Sequence, residues 1–105
     1  MPRPPGMGTL QILAAIRDGA TYGLDIVAHT GLPSGTVYPT LGRVGDRGWV
    51  DSEWEDEAEA KAQGRPRRRH YRLTPEGART LREAARRMRV RAASLDPAWA
   101  GEGRT

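Results

Sequence analysis

Between residues 9 and 48 glycine and proline cut the chain into three short amphipathic stretches. The cut at Gly31-Leu32-Pro33 leaves almost no connector between the second and third. Stretches this short are marginal alone, so their apolar faces must be buried against one another. The first repeats Leu10, Leu13 and Ile16 at helical spacing, widened by Ile12 and Ala14, and stops at Asp18-Gly19. The second runs from Tyr22 to His29 with Leu24, Ile26 and Val27 apolar, after which Pro33 forces its predecessor out of the helical region. Ser34 is predicted to cap a third helix ending at Gly48, with Val37, Leu41 and Val44 as its buried stripe. Thr36, Thr40, Arg43 and Arg47 recur at spacings of 4, 3 and 4 and are predicted to form a second, outward stripe. Pro39 removes a backbone donor in the second turn and is expected to bend this helix; such local rule-breaking often marks functional elements.

Downstream the period changes from helical to alternating. Trp49 to Glu55 reads as one strand and Arg67 to Leu73 as a second, joined by an acidic, alanine-rich linker that reads as loop or as a helical turn. Thr74-Pro75 supplies an N-cap and first helical position for a last helix carrying Ala78, Leu81, Ala85 and Met88 on one face. The order helix, helix, helix, strand, strand, helix predicts an α+β, mostly α fold. It is a winged helix-turn-helix of three helices, a two-stranded wing and a C-terminal dimerisation helix. The expected divisions are a flexible arm at 1–7, the winged helix-turn-helix at 8–74, the dimerisation helix at 75–95 and a polar tail at 96–105.

With 105 residues, 37% of them hydrophobic, one modest core is expected. The absence of cysteine removes disulfide scaffolds, thiolate metal sites and cysteine nucleophiles. No apolar run approaches the ~18 residues of a membrane span, and the Pro/Gly-rich start lacks a signal-peptide core. A cytoplasmic location away from membranes is therefore expected. Charge is segregated along the chain. Residues 51–64 hold six acids and one Lys, whereas residues 65–105 hold twelve Arg and four acids. High-GC codon usage is a bland account of the preference for Arg over Lys, but it does not explain the clustering. A basic block beside an acidic one points to a polyanion partner and a defined docking face.

Two segments carry a resemblance. Ser34-Gly35-Thr36-Val37-Tyr38-Pro39-Thr40-Leu41 followed by Gly48-Trp49-Val50-Asp51-Ser52-Glu53-Trp54, and Gly64-Arg65-Pro66-Arg67-Arg68-Arg69-His70-Tyr71-Arg72-Leu73-Thr74-Pro75-Glu76-Gly77, are similar to the PadR family of bacterial transcriptional regulators. The likeness covers roughly residues 8–90. It implies a dimeric DNA-binding repressor paired through its last helix, without the added C-terminal domain of larger members. The chain departs from many relatives in a short segment before the third helix and in Gly42 and Gly45 within it.

The residues expected at DNA are Ser34, Thr36, Tyr38, Thr40, Arg43 and Arg47 of the third helix and Arg65, Arg67 and Arg68 of the wing. Arginine can take guanine O6 and N7 together, and threonine a thymine methyl or a phosphate. Tyr38 reads equally as a phosphate contact or as packing at the helix boundary. Gly64-Arg65-Pro66-Arg67 is similar to an AT-hook core, suited to the negative potential of a narrow minor groove. The alternative is pairing of these arginines with Glu53, Glu55, Asp56 and Glu57. Ala78, Leu81, Ala85 and Met88, with Leu10 and Leu13, are assigned to a homodimer seam, because a helix of about 20 residues would overhang so small a core. Trp49 and Trp54 read as packing. Trp99 is a candidate ligand contact, since some short relatives hold flat aromatic molecules between tryptophans at the dimer interface.

Catalysis finds little support. His29 and His70 are the only histidines, and no carboxylate or cysteine repeats at a ligand spacing around either, so neither metal, cofactor nor enzyme activity is expected. His29 suits a helix C-terminus, and His70 reads as an exposed strand residue or a phosphate contact. The expected function is a homodimeric repressor that binds an inverted-repeat operator on double-stranded DNA and answers to a small-molecule effector. The competing class is a winged-helix protein-interaction adaptor that does not touch DNA.

Overall fold

In a computed structural model, residues 3–95 are described. The arm's first two residues, the 96–105 tail and Trp99 lie outside them. The elements are α1 (Met7–Arg17), α2 (Gly23–Thr30), α3 (Ser34–Asp46), β1 (Val50–Trp54), α4 (Glu57–Ala62), β2 (Arg69–Leu73) and α5 (Pro75–Leu95). This is the winged helix-turn-helix anticipated from element order, and of the two readings of the acidic linker the helical one holds, as α4 inside the wing. Asp56 caps α4 by accepting the Glu59 amide at 3.1 Å, and Ala60 is its buried residue.

Each helix ends where local chemistry requires it. Gly31 takes a left-handed φ of 72° and its amide reaches Val27 O at 2.9 Å, closing α2. Pro33, not Ser34, is the N-cap of α3; its carbonyl accepts the Thr36 and Val37 amides. Proline serves because its fixed φ already suits the extended backbone before a helix, which moves Ser34 into the first turn. The helix continues through Pro39.

The core is shared by all three short helices. Ile12, Leu13, Ile26, Val37, Leu41 and Val44 are enclosed, with Leu81 and Ala84 of α5 and Val50 of β1 closing it. β1 and β2 pair antiparallel, Val50 opposite Leu73 and Trp54 opposite Arg69. At the foot of this hairpin the Thr74 hydroxyl donates to Gly48 O at 2.6 Å and accepts the Gly77 amide at 3.0 Å, while the Thr74 amide donates to Trp49 O. Gly77 lies so close to Trp49 that a Cβ there would stand 2.0 Å from its carbonyl oxygen.

Packing corrects part of the expected dimer seam. Leu13 is wholly enclosed, and Leu10 and Leu81 are buried in the chain's own core, because α5 lies across α1. Ala78 and Ala85 are half-buried. Beyond Ala84 the apolar face of α5 continues as Met88, Ala92 and Leu95, all exposed, with Met88 42% accessible. The overhang is real but begins later than residue spacing alone suggested.

Candidate nucleic-acid interface

Helix α3 buries Val37, Thr40, Leu41 and Val44 and exposes the rest of its circumference. Thr40 was expected on the outward stripe and is instead 2% accessible. It lies three residues after Val37 and four before Val44, so helical geometry carries it to the inner side. Its hydroxyl accepts Arg43 Nη2 at 2.9 Å, so the buried oxygen is satisfied. Ser34, Thr36, Tyr38, Arg43 and Arg47 are exposed. The residues opposite the buried stripe are Gly35, Pro39, Gly42 and Asp46, at spacings of 4, 3 and 4. The outermost face therefore carries two glycines, the Pro39 ring and the Asp46 carboxylate, flanked by Tyr38 on one side and by Thr36 and Arg43 on the other. Arg47 stacks on the Trp49 ring, 4.7 Å from its centroid, and reaches Arg3 O at 3.4 Å.

Tyr38 packs at the helix boundary, one of the two readings offered for it, and still reaches solvent. Its ring lies against the start of α2, where a Cβ on Gly23 would come within 2.5 Å of the hydroxyl oxygen, yet the residue stays 47% accessible. It borders a cleft of about 530 Å³ between α2, α3 and the wing, lined also by Tyr22, Trp54, Arg67, Arg68 and Tyr71. Arg67 lies over the Trp54 ring at 5.2 Å and Arg68 over Tyr22 at 4.0 Å. Neither guanidinium has a carboxylate partner among the described residues. Aromatic faces hold both cations without neutralising them. Trp49 packs against the core as expected, whereas Trp54 is exposed.

Arg65 behaves differently from its neighbours. Its guanidinium grips the Glu55 carboxylate with both terminal nitrogens, Nη2 meeting Oε2 at 3.0 Å. Glu55 also accepts the Arg68 amide at 2.9 Å and meets His70 Nε2 at 2.8 Å, while His70 Nδ1 meets the Thr21 hydroxyl at 2.9 Å. The Arg65 hydrogen bonds foremost, then those from His70 and the Arg68 amide, hold the Glu55 carboxyl well below the usual carboxylate range, and Glu55 in turn raises the Arg65 pKa. Of the arginine–carboxylate pairings weighed from sequence, Arg65 with Glu55 is the one realised at this end of the wing. No spacing rule singles out Glu55 among six acids in fourteen residues, so its central place was not readable beforehand.

A three-helix core with the second and third helices joined by a tight turn and followed by a β-hairpin defines a winged helix-turn-helix protein. The sequence matches the Transcriptional regulator PadR-like family over residues 12–83, and the chain belongs to that family. A PadR family regulator from Eggerthella lenta DSM 2243 is 30% identical, with TM-score 0.65 over 84% of this chain and 79% of that one. A PadR family regulator from Clostridium difficile R20291 is 23% identical, with TM-score 0.75 over 86% of this chain and 95% of its own. PcaV from Streptomyces coelicolor, a transcriptional regulator solved in complex with its natural ligand, is 24% identical, with TM-score 0.72 over 96% of this chain and 68% of that one. No curated protein matches. No helix among the described residues is long and apolar enough to cross a membrane.

Proposed function

We propose that the chain is a homodimeric repressor that binds an inverted-repeat operator. The observation that carries this reading is the cleft itself: Tyr38, on one flank of the exposed side of α3, and the unneutralised Arg67 and Arg68 border one concavity, so contacts from the helix and from the wing can form together. In this reading α3 enters the major groove through the face around Gly35 and Gly42, with Thr36 and Arg43 at base edges, while Ser34 and the Tyr38 hydroxyl reach phosphates. The wing cations follow the adjacent backbone or minor groove.

The second copy is supplied through α5. Met88, Ala92 and Leu95 continue the buried face of that helix into solvent, and a matching helix from a second subunit is its natural cover. Two-fold pairing would set two copies of α3 about one DNA turn apart. Release by a small-molecule effector belongs to the same proposal, by analogy with the ligand-bound PcaV complex. Titration of the chain with promoter fragments at several salt concentrations tests the reading. Affinity should fall steeply with salt, and Arg67→Ala should flatten that dependence because fewer counterions are released. Binding insensitive to ionic strength would favour a protein-interaction adaptor instead.

A further inference from the structure

An acid at a DNA-facing wing is unexpected, since every carboxylate near a phosphate backbone repels it. Glu55 nevertheless ties three wing residues together. It joins β1, where it follows Trp54, to the returning limb through Arg65, the Arg68 amide and His70, and through His70 to Thr21 ahead of α2. The Tyr71 amide donates to Thr21 O at 2.6 Å, and the His70 ring meets the edge of Tyr22 at a centroid distance of 5.8 Å. Arg68, whose amide Glu55 holds, is the residue whose guanidinium lies over Tyr22.

We infer that Glu55 is a positioning residue for DNA binding: it fixes the wing's second limb against the α1–α2 turn so that Arg67 and Arg68 face the cleft. Arg65 then acts as a strut, not as a DNA contact, which reverses the role its AT-hook-like setting suggested. This rests on the DNA-binding reading above and adds a counterintuitive sign. Removing this negative charge weakens binding. If Glu55 only sequestered Arg65, its removal would free a cation, tighten binding and steepen the salt dependence by about one phosphate contact.

The test compares Glu55→Ala with Glu53→Ala, the same charge change two residues away at a side chain without a hydrogen-bonded partner among the described residues. Glu55→Ala should weaken promoter binding about fivefold, while Glu53→Ala leaves it unchanged or tighter. Glu55→Gln keeps a carbonyl acceptor and should recover part of the loss. Arg65→Ala added to Glu55→Ala should cost nothing further, because the two act as one unit. Without DNA, exchange of the Arg68 amide should accelerate about tenfold or more in Glu55→Ala while amides of the buried core keep their protection. Equal or tighter binding by Glu55→Ala, or an unchanged Arg68 exchange rate, would overturn the inference. Failure of the wild-type chain to bind any promoter fragment would sink the DNA-binding reading and this role with it, and the exchange rate would still report whether Glu55 holds the limb.

Discussion

Replacing Gly42 by alanine should make the protein more stable and a poorer DNA binder at once. Glycine in a helix interior costs about 1 kcal/mol relative to alanine, through the extra freedom it loses on folding. At Gly42 nothing within the chain offsets that cost: its φ is not left-handed, and a Cβ built there meets no atom within 4 Å. The substitution should therefore add about 1 kcal/mol, which for a domain of this size raises Tm by roughly 4–8 °C. The demand for glycine must then come from outside the chain. Gly42 lies at the middle of the outermost face of α3, between Pro39 and Asp46, where a methyl group would hold the helix away from a groove floor. Operator affinity should drop about tenfold, a loss of about 1.4 kcal/mol. Differential scanning calorimetry and a binding titration on one preparation read both quantities. A raised Tm with unchanged operator affinity would show that this face does not meet DNA. A lowered Tm would refute the propensity argument itself.

Other perturbations have equally definite outcomes. Gly77→Ala places a methyl group 2.0 Å from Trp49 O, so it should destabilise by about 1–3 kcal/mol and lower the melting temperature. Met88→Glu sets a charge in the exposed part of the α5 face and should yield folded monomers in light scattering, with operator binding lost. Acid should loosen the wing before the core. A carboxyl depressed on folding contributes stability that is complete above its ordinary value, 4.5 here, and is lost as pH falls from there through its folded value. Trp54 fluorescence should report that step below about pH 4.5 in the wild type, and Glu55→Ala should abolish it.

The three helices, the hairpin and the start of α5 were legible because their signals are local: apolar spacing, Gly31, and the Thr74-Pro75 cap. Residue spacing placed Val37, Leu41 and Val44 inward without error. It misplaced Thr40 because a threonine at the edge of a buried stripe looks polar in sequence, while its hydroxyl is satisfied by Arg43 in the fold. That Leu10, Leu13 and Leu81 belong to the chain's own core was not legible for a different reason. The face of α5 is continuous, and no pattern within it tells where the chain's own core ends, between Ala84 and Met88, and where a second copy would begin. Arg65 and Arg67 look equivalent in Gly64-Arg65-Pro66-Arg67. Only the antiparallel register, which brings Glu55 beside the returning limb, separates a neutralised arginine from a free one.

The junction where Thr74 bonds to Gly48 and Trp49, and Gly77 abuts Trp49, has a mechanical corollary. It welds the end of α3, the foot of the wing and the root of α5 into one corner without slack. From that corner α5 extends for 21 residues, about 31 Å. Only the part beyond Ala84, about 16 Å, stands clear of the chain's own core as a lever arm, and 5° of tilt there moves its far end by about 1.4 Å. In the proposed dimer, a shift imposed on the paired far ends would return as a rotation of each reading head. The spacing between the heads would then be set from a point remote from the DNA.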